Sequence, residues 1–550
     1  MKRYDGEFSS LILLILTFCV LAFVFTCARG ADVMFYAGFP MLAAVLCCAV
    51  SFTCVESFMA QQTERRLLRK KAAAAVLLLR AGVLLSALWA LAAAVLLVLL
   101  SDPVGEGVLG SGLTAPLIRS FAPAIALSGI SGCLKGFLKG IGQKQTAQMI
   151  RLLETIIFLS MGLLLGFFCA IKGESIGALL RNEDMSAVYC GCGIALGLDL
   201  AEIISCIILA ALCRLYSGRL RPEKNRRDAF LEDEEPSETM TGLMRYMLQK
   251  ILPGISIALM LFLGLLISYR FWLTGQEDAE INILISEWGG FMGVSLPVTA
   301  GCILLSVLPQ TGSAAGLVRD QAKGRFRTMR ARLTTLLKLS AYIGIPCAAF
   351  LFGAAGEIVA VVPGLTFKAQ DAAVLTLRAG SFLAALGPAA LLMLYFFWNT
   401  MCRREAAVAA AAGFFVQIIL IVVLDMAGSG ICLSIWTLDA FVLVFLTVLY
   451  VLGLQGLIRG FDQTWMTDAV LMILCSVMAV VPIALLSDYL LQVLPSAAAL
   501  LLSLLIFAAL YIILSILLRA ADLHNLSRLP GGYLIVALAV LLGVADREEN

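Results

Sequence analysis

The residues best able to do chemistry are ionisable side chains set inside long apolar runs. Asp199 and Glu202 stand three apart in GLDLAEI, near the middle of the run 187–213. An acid so placed is a candidate proton or sodium site, because a charge in hydrocarbon is expensive and is kept where function needs it. The competing reading is burial inside one helical lobe, hydrogen-bonded to neighbouring helices or paired with Arg80. Asp439 is a weaker instance of the same kind. Arg151 and Glu154 are also three apart, a spacing that puts them on one helix face as a fixed ion pair or as a gate whose pairing changes. Lys135 and Lys139, four apart, share a face and suit attraction to anionic lipid. Arg29, Arg80, Arg119, Arg270 and Arg378 lie outside the basic loops. They either snorkel to headgroups or face a hydrated cavity.

The elements that position these residues follow from composition. Hydrophobic residues make up 61% of the 550 positions and the mean hydropathy is +0.98, more apolar side chain than a soluble core of ordinary size can hold. A bilayer core of roughly 30 Å needs about 20 apolar residues in helical form, since lipid gives the backbone no hydrogen-bond partner. Runs of that kind occur at 11–28, 33–57, 73–100, 115–134, 148–171, 187–213, 248–270, 286–308, 333–355, 374–400, 405–425, 434–456, 468–487 and 495–518. The expected fold class is therefore an all-α polytopic membrane protein with about 14 transmembrane helices.

Charge alternates between the gaps. Arg65, Arg66, Arg69, Lys70 and Lys71 fill one, Lys135, Lys139, Lys144 and Arg151 flank another, and the run from Arg319 to Lys338 fills a third. Intervening gaps carry mainly acids, among them Asp102, Glu106, Glu174, Glu277 and Glu357. The positive-inside rule then makes the basic gaps cytoplasmic and places both termini inside. SFTCVESFMAQQTERRLLRKK after the second run is matched in layout by SVLPQTGSAAGLVRDQAKGRFRTMRARL after the eighth. An even number of spans separates these points, so two six-helix lobes repeat in parallel orientation, a known transporter plan. The expected division is an N-terminal lobe over 1–214, a cytoplasmic linker over 215–245, a C-terminal lobe over 246–458, two further transmembrane helices over 459–519, and a cytoplasmic or interfacial tail over 520–550.

Several activities find no support. The sixteen Cys lie mostly inside the runs and form no CxxC pair, so they read as packing residues, with no metal site expected. His524 is the sole histidine, and neither an HExxH nor a GxxxxGK[ST] sequence occurs. A membrane-embedded glycosyl- or acyltransferase is thus the less favoured reading, no catalytic residue is assigned, and the chain is expected not to be an enzyme.

The order of parts resembles the polysaccharide-transport branch of the multidrug/oligosaccharidyl-lipid/polysaccharide (MOP) flippase superfamily, and within it most looks like the stage V sporulation protein B group. The resemblance is carried by LKGFLKGIGQKQTAQMIRLLETIIF, LQKILPGISIALMLFLGLLIS, GGFMGVSLPVTAGCILLSVLPQTGSAAG and LHNLSRLPGG, in that order over most of the chain. It implies alternating-access export of undecaprenyl-diphosphate-linked sugars, peptidoglycan precursors or other polysaccharide intermediates, across the bacterial plasma membrane, with roles in cell-wall biogenesis or sporulation. Partners implied are membrane lipids, a lipid-linked oligosaccharide and enzymes of cell-wall or polysaccharide synthesis, with no nucleic acid and a monomeric state. On that basis Arg29, Arg80, Arg119, Arg270, Arg378, Lys135 and Lys139 become candidates for a diphosphate cavity. Asp199, Glu202, Arg151 and Glu154 become candidates for coupling or gating. No cofactor is implied; the driving force would be membrane potential, H+ or Na+, and two exported negative charges would release about 4 to 5 kcal/mol per 100 mV. Family members often carry an acid near the position of Ser268, and the related lipid II flippases carry several Arg in the first two spans; here no Arg occurs between Phe8 and Ala28 or between Ala31 and Gln61. A multidrug or small-solute exporter of the same superfamily is the alternative, favoured by an apolar and aromatic cavity without convergent Arg.

Overall fold

The computed structural model describes residues 7–219, 239–276, 281–363, 365–399, 403–455, 464–520 and 532–541. Among them there is no strand, and fourteen helices are long and apolar enough to cross a membrane. These are α1 (Phe8–Arg29), α2 (Asp32–Leu68), α3 (Ala72–Val108), α4 (Gly112–Gly140), α5 (Lys144–Leu180), α6 (Met185–Gly218), α7 (Met240–Thr274), α8 (Ile281–Gln321), α9 (Phe326–Gly353), α10 (Phe367–Asn399), α11 (Arg403–Met426), α12 (Cys432–Gly453), α13 (Asp468–Val493) and α14 (Ser496–Leu517). Each matches one expected run, so the count of spans holds. The chain is a multi-pass membrane protein.

Two helices extend well past their apolar stretch. α2 continues through the polar segment 57–68, rich in good helix formers, and stops where Lys70 takes a left-handed conformation at φ 59°. α8 likewise runs on to Gln321 before the turn at Gly324, whose φ is 69°. Both contain a π-helical stretch, Ser51–Glu56 in α2 and Phe291–Ser295 in α8, and such insertions are frequent at functional positions.

The helices pack as two compact units. One comprises Leu13–Leu21 and Tyr36–Phe262; the other comprises Met1–Ile12, Ala22–Phe35 and Leu263–Asn550. Within the first, α3 packs on α4, α4 on α6 and α5 on α6. In the second the same pairing recurs as α9 on α10, α10 on α12 and α11 on α12, which is the parallel repeat expressed in contacts. α13 and α14 dock on α9: Tyr511 donates to the Tyr342 carbonyl at 2.9 Å, Tyr342 and Ser515 hydroxyls meet at 3.0 Å, and Lys338 pairs with Asp468 at 2.7 Å. Only 11% of the most apolar stretch of α3 is buried, and Leu88, Trp89, Leu91 and Leu99 project outward, as a lipid-facing helix requires. Within the expected tail the described residues form a helix over Gly532–Leu541, roughly 15 Å long. His524 and most of the expected linker lie outside the described residues.

Candidate functional site

Small residues bring α2 and α4 together. Gly132, Gly136 and Gly140 recur every fourth residue on α4 and so line one face. A Cβ on Gly136 would lie 2.5 Å from the Glu56 carbonyl oxygen and 2.6 Å from the Met59 Cβ; one on Gly140 would lie 2.5 Å from the Thr63 Cβ. The two backbones can therefore approach only because these positions lack a side chain. On the α2 side the π-helical stretch meets this face, and the Ser51 hydroxyl donates to the Ser128 carbonyl.

That approach carries Lys139 of α4 to an acid of α2 that side-chain bulk would otherwise hold away. Lys139 pairs with Glu56 at 2.5 Å, and Arg151 of α5 donates to the other oxygen of the same carboxylate. Lys135 pairs with Glu154. The Phe52 ring meets two of the cations, with the Arg151 guanidinium 3.7 Å and the Lys139 ammonium 5.4 Å from its centre. Glu202 of α6 lines the same small space as Lys135 and Glu154. All six ionisable groups are at most 5% exposed. Three cations thus meet three carboxylates, and the space lined by Lys135, Arg151, Glu56, Glu154 and Glu202 is about 10 Å³, room for about one water and none for a sugar or a drug.

Buried ions are tolerated when paired and hydrogen-bonded, and a group without a partner is costly. One oxygen of Glu202 and one of Asp199 are buried without a hydrogen bond among the described residues. The arrangement can therefore lock four helices together; it cannot hold a bulky ligand.

Each expected site residue can now be placed. Arg151 and Glu154 reach off their own helix, to Glu56 on α2 and Lys135 on α4. Lys135 and Lys139, expected to meet a diphosphate, direct their charge into the buried carboxylates. Arg119 is held at the opposite end of the bundle by Asp102 and Ser101, at 2.6 and 2.7 Å. Arg29 is half-buried, while Arg270 and Arg378 are exposed. Asp439 is buried on α12, with one oxygen lacking a partner among the described residues. Arg80 is not beside Asp199 or Glu202 in this space; it lines a separate groove of about 720 Å³ together with Arg214. Glu56 joins the set without being among the expected site residues, and its sequence signal is an acid preceding a basic gap inside SFTCVESF.

A second cavity in the same unit, about 260 Å³, is bounded by α2, α3, α4 and α7. Its walls include Cys47, Trp89, Ile255 and Phe262, with Ser51, Ser86 and Ser128 as hydroxyls and no charged residue. No metal-binding group of three His, Cys, Asp or Glu occurs among the described residues.

No protein-family model and no curated protein matches the sequence. Solved structures do match in fold, among them a transporter of the MOP superfamily. An inward-facing MATE multidrug transporter of that superfamily shares 12% identity over 83% of this chain and 97% of its own, with a TM-score of 0.51. The eukaryotic MATE transporter AtDTX14 shares 12% over 87% of this chain and 97% of its own, with a TM-score of 0.53. The lipid II flippase MurJ, in an inward closed conformation, shares 14% identity over 93% of this chain and 98% of its own, with a TM-score of 0.62.

Proposed function

We propose that the protein exports a lipid-linked sugar, with an undecaprenyl diphosphate carrier, across the bacterial plasma membrane by alternating access. The observation that carries this reading is the extent of the likeness to the lipid II flippase, which spans 93% of the chain where the two MATE structures span 83% and 87%. The reading has no catalytic step and no cofactor. Both termini lie in the cytoplasm by the positive-inside rule, and the relation to sporulation or cell-wall synthesis follows from the sequence resemblance alone.

The substrate carries about two negative charges, so its contacts are sought among Arg270 and Arg378. Arg119, Lys135 and Lys139 are already engaged by acids. The buried network is assigned the coupling role. Glu202 and Glu154 share Lys135, so that corner holds more acid than base, and a proton gained or lost there changes how tightly α2, α4, α5 and α6 are held. Membrane potential, negative inside, adds about 2.3 kcal/mol per exported charge per 100 mV.

Binding of a prenyl-diphosphate sugar to purified wild-type protein, compared with Arg270→Ala and Arg378→Ala, tests this reading. A loss of about tenfold in at least one variant supports it, in line with a charge-assisted hydrogen bond of ~1.5 kcal/mol. Equal binding by all three proteins contradicts the assignment. The uncharged cavity beside Trp89 and Phe262 favours a second reading, export of an apolar small molecule. Under that reading an apolar dye, and not the prenyl diphosphate, would bind and would be displaced by Trp89→Ala.

A further inference from the structure

The groove that holds Arg80 lies within the first unit, between α3 and α6 with α4 as its floor. Both walls show helical spacing: Leu79, Arg80 and Val83 come from one face of α3, and Cys213, Arg214 and Ser217 from one face of α6. The reason for the gap is in the packing. α3 and α6 each rest against α4, and Leu134 of α4 closes the base. A space of about 720 Å³ is far more than a few waters and is open at the bundle surface, where hydrocarbon chains would otherwise meet it.

Its chemistry is divided along its length. Arg214 lies about 6 Å from the end of α6, and Arg80 about 12 Å from the start of α3. Those two helix ends face basic gaps, so the arginines sit at the level of the cytoplasmic headgroups and upper acyl chains. Deeper along α3 the wall is apolar, through Val83, Leu84 and Ala87. No acid lines the groove, and neither arginine makes an ion pair among the described residues. Two guanidiniums above an apolar trough complement one kind of molecule, an amphiphile with a phosphate head and an acyl tail.

We propose that this groove binds an anionic glycerophospholipid of the cytoplasmic leaflet, with its phosphate between Arg80 and Arg214 and one acyl chain along Leu84 and Ala87. Guanidinium forks suit phosphate oxygens and stay charged at this depth. The site is distinct from the buried network and does not rest on the export of a lipid-linked sugar. A bound lipid would brace α3, the helix with least protein contact, against α6.

The test is to count phospholipid retained by purified full-length protein in native mass spectrometry after equilibration with phosphatidylglycerol or phosphatidylcholine. Wild type should hold one phosphatidylglycerol with a clear preference over phosphatidylcholine. At about fivefold per basic residue near the surface, Arg80→Gln or Arg214→Gln should each lose about fivefold of that preference, and the double variant about thirtyfold. Lys172→Gln, an exposed cation elsewhere on α5, should keep it. The pair Arg80→Lys and Arg214→Lys retains charge and should keep most of the preference, which separates loss of charge from misfolding. Wild-type retention by the double glutamine variant would overturn the proposal. So would loss in the lysine pair as complete as in the glutamine pair, or displacement of the lipid by excess inorganic phosphate that then occupies the site itself.

Discussion

Replacing Glu56 by Gln should be among the most damaging single changes to the first unit. Glu56 is 1% exposed and pairs with Lys139 at 2.5 Å and with Arg151, each 5% exposed at its side chain. The substitution keeps the shape but leaves three buried cations facing two carboxylates. Removing one partner of a buried pair costs about 3–5 kcal/mol, and here one carboxylate serves two cations, so the upper part of that range applies. For a unit of this size the melting temperature should fall on the order of 10 °C. A thiol-reactive fluorophore can follow unfolding in detergent, because Cys48, Cys54, Cys133 and Cys213 are buried in the folded protein. Adding Arg151→Gln restores two cations against two carboxylates, so the double variant should regain part of the loss. Coupling in the cycle should be about 2–3 kcal/mol, the upper end for residues in one network. A Glu56→Gln protein that melts within about 1 °C of wild type, or a double variant that loses the sum of the two single changes, would refute the reasoning.

Other expectations follow from single positions. Gly136→Ala places a Cβ 2.5 Å from the Glu56 carbonyl oxygen and should destabilise by about 1–3 kcal/mol, whereas Gly301→Ala, with nothing within 4 Å, should be neutral or slightly stabilising in the same melt. Glu357 lies outside the spans in the short helix Ala355–Ala360, and burial holds its carboxyl above the usual value, with the Ser503 hydroxyl only partly opposing. The folded state therefore binds its proton more tightly than the unfolded state, and stability should decline as pH rises from the ordinary carboxylate range through the raised value. Glu357→Gln should remove that slope and raise the melting temperature at neutral pH; a slope unchanged in the variant would assign it to another group. Asp102→Asn should lower stability by no more than about 1 kcal/mol, because its pair with Arg119 is exposed.

Apolar length and the alternation of charge made the spans legible, since helices in lipid must satisfy their own backbone and the period of the runs is set by bilayer thickness. The ends were harder to place. α2 and α8 continue as helices into the charged gaps that follow their apolar runs, because Glu, Gln and Arg favour helix as well as water. Asp199, Glu202, Arg151, Glu154, Lys135 and Lys139 were recognisable as ionisable groups in apolar surroundings. Their partners were not, because Lys135–Glu154 and Arg151–Glu56 are contacts between helices, and Lys139–Glu56 needs the close approach that Gly136 and Gly140 permit. SGCLKGFLKG shows that four-residue glycine spacing plainly, yet only the facing helix gives it meaning. Arg80 and Arg214 are 134 positions apart, and nothing in either local sequence announces a shared groove.

Translocation in proteoliposomes is the most direct measurement of the proposed export. A prenyl-diphosphate sugar placed in one leaflet should become accessible to a sugar-modifying enzyme added on the other side, dependent on the protein and faster when the receiving side is electrically positive. Protein-dependent efflux of an apolar dye from the same vesicles, with no translocation of the prenyl-diphosphate sugar at any potential, would contradict the lipid-linked substrate and favour the small-molecule exporter.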